Sequence, residues 1–158
     1  MRGDEFAPAR PAAVRVATAA SARAHARAVV DAHWGDRGRP VREQDVIDLL
    51  LVVSELVTNA IRHGGGLAGF EVTPVPEGLR LAVHDHSDVV PAVAYGSGEL
   101  PVGHHGNGYG WPLIIRLSRE ITVERRPGRG KTIRVLVPLS LTTAERREPL
   151  SPPRRAPR

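Results

Sequence analysis

Ser54-Glu55-Leu56-Val57-Thr58-Asn59-Ala60-Ile61-Arg62-His63-Gly64-Gly65-Gly66-Leu67 is the stretch whose reading decides the fold. Glu55, Asn59 and His63 stand at successive i, i+4 spacings inside an apolar run. Residues four apart share one face of a helix, so an acid, an amide and an imidazole form a polar stripe on a helix otherwise built to be covered by protein. Polar groups in such a place need partners. Upstream, Val46, Leu50, Val53, Val57 and Ala60-Ile61 step along one face, while Leu49, Leu51, Val52 and Leu56 occupy much of the remainder. The spacing predicts a helix from Val41 or Arg42 to about His63, covered on several sides. The three glycines after it stop it.

Working outward, Gly35 to Pro40 separates this helix from an earlier one. Ala19 to Trp34 carries Ala22, Ala26, Val29 and Val30 at helical spacing, with Ser21 as a candidate cap. Val14 to Thr18 reads as a short first strand. Downstream, Ala68 to Pro74 and Gly78 to His84 read as two strands of a hairpin, the second alternating Leu79, Leu81 and Val83 against Arg80 and Ala82. His86 to Tyr109 loses periodicity and is rich in Gly and Pro, as functional loops are. Trp111 to Ser118 reads as a short helix with Pro112 in its first turn. Glu120 to Arg125 and Thr132 to Pro138 form a second strand pair around Pro127-Gly128-Arg129-Gly130. This order predicts an α+β two-layer sandwich, a mixed but mostly antiparallel sheet covered on one face by about three helices. The alternation of a βαβ nucleotide fold is missing. The expected organisation is a disordered tail over 1–11, one folded domain over 12–140, and a disordered Pro/Arg-rich tail over 141–158.

Composition sets limits. The 158 residues suffice for one domain with tails. The chain is 41% hydrophobic but only 4% aromatic, so the core must be aliphatic. Cysteine is absent, which excludes disulfides, thiolate metal sites and cysteine nucleophiles. No apolar run approaches the roughly 20 residues that span a bilayer, and no hydrophobic leader follows Met1, so the expected location is the cytoplasm and no membrane partner is expected. Of the net charge of +5, the segment 145–158 contributes +3, without the interleaved aromatics of a stacking surface. Direct nucleic-acid binding is therefore not expected; the arginines read as a solvated tail or a weak contact for an acidic partner.

Four features carry chemistry. In the helical stripe, an amide oxygen and a carboxylate are hard donors suited to Mg²⁺ held together with phosphate; a carboxylate one turn away can instead orient or deprotonate an attacking hydroxyl. Asp85, at the end of the strand Leu81-Ala82-Val83-His84, can accept a hydrogen bond from an exocyclic amine such as that of adenine, or simply close a turn. Gly103-His104-His105-Gly106-Asn107-Gly108-Tyr109-Gly110 precedes a short helix, where glycine backbone and a helix N-terminus favour a phosphate. It lacks the Lys-Ser/Thr pair of a Walker loop. Gly130-Lys131-Thr132 opens the last strand, where a threonine hydroxyl can reach a base edge directly or through water.

In this order, these features resemble the ATPase domain of the histidine-kinase-like (Bergerat-fold) superfamily, and within it the small stand-alone anti-sigma-factor serine/threonine kinases. Glu55-x-x-x-Asn59-x-x-x-His63-Gly64 is similar to their N box. Asp85 stands where their first glycine box begins, Gly106-Asn107-Gly108-Tyr109-Gly110 resembles the second, and Gly130-Lys131-Thr132 the third. The resemblance runs from about Val14 to Pro138. It departs from the pattern at Asp85-His86-Ser87-Asp88, which lacks the glycine two residues after Asp, and at Asn107 and Tyr109, which replace Arg and Leu. Arg62 and Lys131 are the candidate cations to replace that arginine.

The resemblance implies ATP and Mg²⁺ as cofactors. Asn59 would hold the metal and Glu55 would be the general base or water-positioning residue. Asp85 would read adenine with Thr132 assisting. His63, Gly106, Gly108, Gly110 and Lys131 would complete the ATP site under a lid formed by 86–109. It also implies a protein kinase that phosphorylates an anti-sigma-factor antagonist and binds a sigma factor, as a homodimer in many relatives. A non-enzymatic ATP-binding module that docks to a regulatory partner remains the alternative, and a degenerate domain without nucleotide is a third.

Overall fold

The computed structural model describes residues 15–35, 38–90 and 110–142. In chain order its elements are α1 (Ala19–Trp34), α2 (Glu43–His63), β1 (Leu67–Val75), β2 (Gly78–Asp85), α3 (Gly110–Leu117), β3 (Arg119–Arg126) and β4 (Gly130–Pro138). The four strands form one sheet in the order β1-β2-β4-β3. Every neighbouring pair is antiparallel, so among the described residues the mixed sheet expected from the sequence contains no parallel pair. The result is an α+β sandwich consistent with the Bergerat ATPase fold.

The period-two pattern of the strands sorts the sheet into two faces. Leu79, Leu81 and Val83 of β2 and Ile133, Val135 and Val137 of β4 turn inward and are buried with Leu49, Val52, Val53, Leu56 and Val57 of α2. The opposite face buries Ala82, Thr132 and Leu136 but carries ion pairs, with Arg80 2.9 Å from Glu120 and Arg134 2.7 Å from Glu124, all four about half-exposed. Such pairs contribute little to stability; they mark the face that the helices leave uncovered.

The start of α1 differs from its sequence reading. Arg15 to Thr18 are not a strand, and Val14 lies outside the described residues. Thr18 is the cap: its hydroxyl accepts from the Ser21 N–H at 3.1 Å, and the Ser21 hydroxyl accepts from the Thr18 N–H at 3.1 Å. Ser21 is thus the third-position half of a capping box. From there Ala22, Ala26, Val30 and Trp34 recur every fourth residue as the buried edge of α1, and the helix lies against α2 and β1.

α2 ends at His63 as its spacing predicts and is covered on several sides, with one side left open. Ile47, Leu51 and Ile61 are 46%, 42% and 44% exposed. α1, α3 and the sheet pack against the rest of its circumference. Past β4 the chain stays ordered two residues further than its pattern suggests. Leu141 bridges Val41, and the Ser140 N–H donates to Asp45 Oδ2 at 2.7 Å. No helix among the described residues is long and apolar enough to cross a membrane.

Two leucines of α2 test this layering. Leu56 is fully buried and Leu51 is 42% exposed. Leu56→Ala should lower the unfolding free energy by about 2–5 kcal/mol, and Leu51→Ala by less than about 1 kcal/mol, both read from urea denaturation. Equal losses would contradict the placement of the helix.

Candidate functional site

The C-terminal half of α2 delivers Glu55 and Asn59 to one place because they lie one turn apart. Opposite them is Gly110, the first residue of α3. A Cβ on Gly110 would stand 2.5 Å from Glu55 Oε2 and 3.6 Å from Asn59 Nδ2. A side chain at this position would push the carboxylate end of Glu55 aside. Trp111, Pro112 and Ile114 are buried and hold α3 on the core, which fixes its N-terminus beside the carboxylate and the amide. The positive end of a helix suits a carboxylate or a phosphate.

Asn59 Nδ2 is buried and has no hydrogen-bond partner among the described residues. Such a group is costly to leave alone, and it points to a polar ligand. The amide can offer its oxygen to Mg²⁺ and its N–H groups to phosphate oxygens. Magnesium is normally held by one or two protein oxygens together with phosphate and water. The residues present are compatible with a magnesium-phosphate group, which Asn59 would hold. His63, the last member of the stripe, is exposed at the helix end.

The second part of the site lies at the end of β2. Asp85 is 3% exposed. Its carboxyl group fills the space where Gly64 has no side chain; a Cβ on Gly64 would overlap Asp85 Oδ2 and lie 2.6 Å from Asp85 Cγ. The His86 N–H donates to the Gly64 carbonyl at 2.8 Å, fastening the end of β2 to the end of α2. Gly64 thus does more than stop a helix. It admits a carboxylate to the helix terminus, a role that becomes visible only once the strand is placed.

Lys131 completes this corner. Its ammonium lies 2.7 Å from Asp85 Oδ2, with both side chains 4% exposed. It also donates to the Ser87 carbonyl at 3.0 Å, while the Ser87 N–H donates to Asp85 Oδ1 at 3.0 Å. Lys131 is therefore the partner of Asp85 and is not oriented as a replacement for a phosphate-binding arginine. The cross-strand register explains the pairing, since Asp85 stands opposite Lys131 and shares its face.

The same register removes Thr132 from this group. Thr132 stands opposite His84, one position along, and faces the other side of the sheet. Its hydroxyl is 2.7 Å from His84 Nδ1, and His84 Nε2 is 3.1 Å from Glu71 Oε2. The expectation that Thr132 assists Asp85 at a base edge is corrected on this parity. The structure thus brings Glu55, Asn59 and Gly110 together, and pairs Asp85 with Lys131. Gly106 and Gly108 lie outside the described residues, as does the expected lid beyond Val90. Ser87, whose backbone joins the Asp85–Lys131 pair, is absent from the sequence expectation; its N–H bond to Asp85 two residues earlier is the turn that an Asp at a strand end can close.

An α+β layer of this topology, with an acid and an amide on the central helix facing a glycine-led helix, is consistent with a nucleotide-binding ATPase architecture. A family model described as the histidine kinase-like ATPase domain matches residues 8–137, and the chain belongs to that family. Membership makes this an ATP-binding domain of a class that usually employs Mg²⁺. No curated protein and no solved structure gives a significant match.

Breaking the buried pair tests the geometry of this corner. Asp85→Ala leaves the Lys131 ammonium buried without its counter-charge and should cost about 3–5 kcal/mol of unfolding free energy. The loss should change little between 0.1 and 1 M salt (roughly 10 and 3 Å of screening length), because burial shields the pair. A loss under about 1 kcal/mol that vanishes in salt would be the behaviour of a surface pair and would contradict the placement.

Proposed function

We propose that the protein is an ATP-dependent serine/threonine protein kinase that acts as an anti-sigma factor by phosphorylating an anti-sigma-factor antagonist. The observation that carries the reading is the convergence of the Glu55 carboxylate and the Asn59 amide on the glycine at the start of α3. A phosphoryl transfer needs little covalent chemistry from protein; it needs position and charge compensation. Mg²⁺, when bound, neutralises charge on the phosphates. Asn59 would hold it there, and the α3 N-terminus would offer its positive end to the phosphates. Glu55 orients the serine or threonine hydroxyl of the substrate protein and takes its proton. The hydroxyl oxygen bonds to the γ-phosphorus as the bond to the leaving ADP oxygen breaks. Asp85 accepts a hydrogen bond from the base.

The partners in this reading are the antagonist protein and a sigma factor, with a homodimer as the working assembly and the cytoplasm as the location. Neither direct nucleic-acid binding nor a membrane partner is part of it. One observation favours a second reading, a non-enzymatic ATP-binding module that docks to a regulatory partner. Lys131 is engaged by Asp85 and Ser87, so it does not replace the arginine missing at Asn107.

Glu55→Gln separates the two. The amide keeps the shape but cannot take a proton. It should leave ATP–Mg²⁺ affinity within about threefold while lowering phosphoryl transfer to the antagonist by at least about 100-fold, the lower end for a general base. Tight ATP binding by the wild type with no transfer to any candidate antagonist would favour the docking module.

A further inference from the structure

A cleft of about 320 Å³ lies where α1 ends and α2 begins, with Val30, Trp34, Val46 and Ile47 in its apolar lining. It is open to solvent. Ile47 is 46% exposed, and the paired side chains of Arg27 and Asp31, which also line it, are 56% and 65% exposed. Glu43, another lining residue, makes no ion pair among the described residues. Water in such a cleft finds few polar partners, so an apolar side chain that leaves solvent to fill it gains about 1.5–3 kcal/mol. Glu43 precedes Glu55 by 12 residues, so the cleft stands about 18 Å along α2 from the nucleotide site.

Size restricts the occupant. The volume is at the low end for ligand clefts, about 300–1,000 Å³, which suits a few side chains and not a helix or a folded domain. Place singles out one segment. After β4, Leu141 bridges Val41, and Thr142 donates to the Pro40 carbonyl through its N–H at 2.9 Å and its hydroxyl at 3.0 Å. Pro40 and Val41 both line the cleft. Residues 143–158 therefore start at its edge. Residues 1–14 join the fold at the far end of α1, about 24 Å away by the helix rise.

The composition of 143–158 reads as a solvated tail, yet it carries one large apolar side chain, Leu150, among Pro149, Pro152 and Pro153. Prolines favour the polyproline II conformation, which has little freedom to lose on docking and suits grooves lined by aromatic residues such as Trp34. The eight residues from Thr142 to Leu150 span up to about 26 Å, ample reach for a cleft that begins at Pro40. Arg146 and Arg147 lie between and offer Glu43 a counter-charge. Tethering lowers the affinity that is needed. A short flexible link gives an effective concentration in the millimolar range, so a contact of about 4 kcal/mol half-fills the cleft. Leu150 alone supplies about 1.5–3 kcal/mol of this. We propose that residues 143–158 fold back onto the cleft between α1 and α2, with Leu150 filling it, as a reversible intramolecular latch. The latch is separate from the nucleotide site and does not depend on the reading of that site.

The chain has no cysteine, so a disulfide between two introduced cysteines reports a single contact. In the full chain, Asp31→Cys puts a thiol at the cleft and Ser151→Cys puts one beside Leu150; neither position belongs to the core or the nucleotide site. With oxidised glutathione this pair should close at least about tenfold faster than Asp31→Cys with Ala156→Cys, whereas an undocked tail favours the nearer position only about twofold, by the −3/2 power of tether length. Adding Leu150→Asp should reduce the preference to that twofold level. Two pairs that close at rates within about threefold of each other overturn the inference. A strong preference that survives Leu150→Asp overturns it also, since Leu150 would then not be what docks. Disulfide-linked dimers as the main product would make the segment of a second copy the occupant, and would equally contradict an intramolecular latch.

Discussion

A carboxylate buried at the end of a helix is the constraint around which this domain is arranged. Asp85 is 3% exposed and lies against Gly64, with the Lys131 ammonium at 2.7 Å. Neither charge is tolerable there alone. The pair requires β2 and β4 to be neighbours in one particular register, and it requires a residue without a side chain at the end of α2. Sheet order, strand parity and helix termination are thus tied to a single electrostatic demand.

The same logic of close approach recurs at Gly110. There the absent side chain lets the N-terminus of α3 meet Glu55 and Asn59. The two glycines bring both ends of the functional half of α2 into contact with other elements. At one end a strand-borne acid is held by a lysine. At the other an acid and an amide face a helix N-terminus, and the amide still has a buried nitrogen without a partner. A nucleotide has a base at one end and phosphates at the other. In the proposed reading the site's two chemistries are separated in the same way along one helix.

Much of this was legible in the sequence, for physical reasons that can be named. The helical period over Val46 to Ile61 and the alternation over Leu79 to Val83 each report one local geometry, and α2 and β2 fall where those periods place them. The Glu55 and Asn59 pairing follows from helix spacing alone. What stayed hidden depends on contacts between distant segments. Strand register cannot be read from either strand alone, so the places of Lys131 and Thr132 stayed hidden: the lysine faces Asp85, and the threonine faces His84. The cap at Thr18 was misread because Ser21 also carries a hydroxyl, and only the reciprocal hydrogen bonds distinguish cap from third position. The exposed side of α2 at Leu51 was unreadable because an apolar residue does not say which neighbour covers it.

The central claim, a folded site that grips a magnesium-bearing nucleotide through the two ends of the C-terminal half of α2, is tested most directly by melting the full chain with and without ATP–Mg²⁺. A ligand at about 100 times its dissociation constant stabilises the folded state by about 2.7 kcal/mol. For a chain of this size that should raise the melting temperature by roughly 5–10 °C, with magnesium required for the full shift. A melting temperature indifferent to ATP–Mg²⁺ at millimolar concentration would contradict the account.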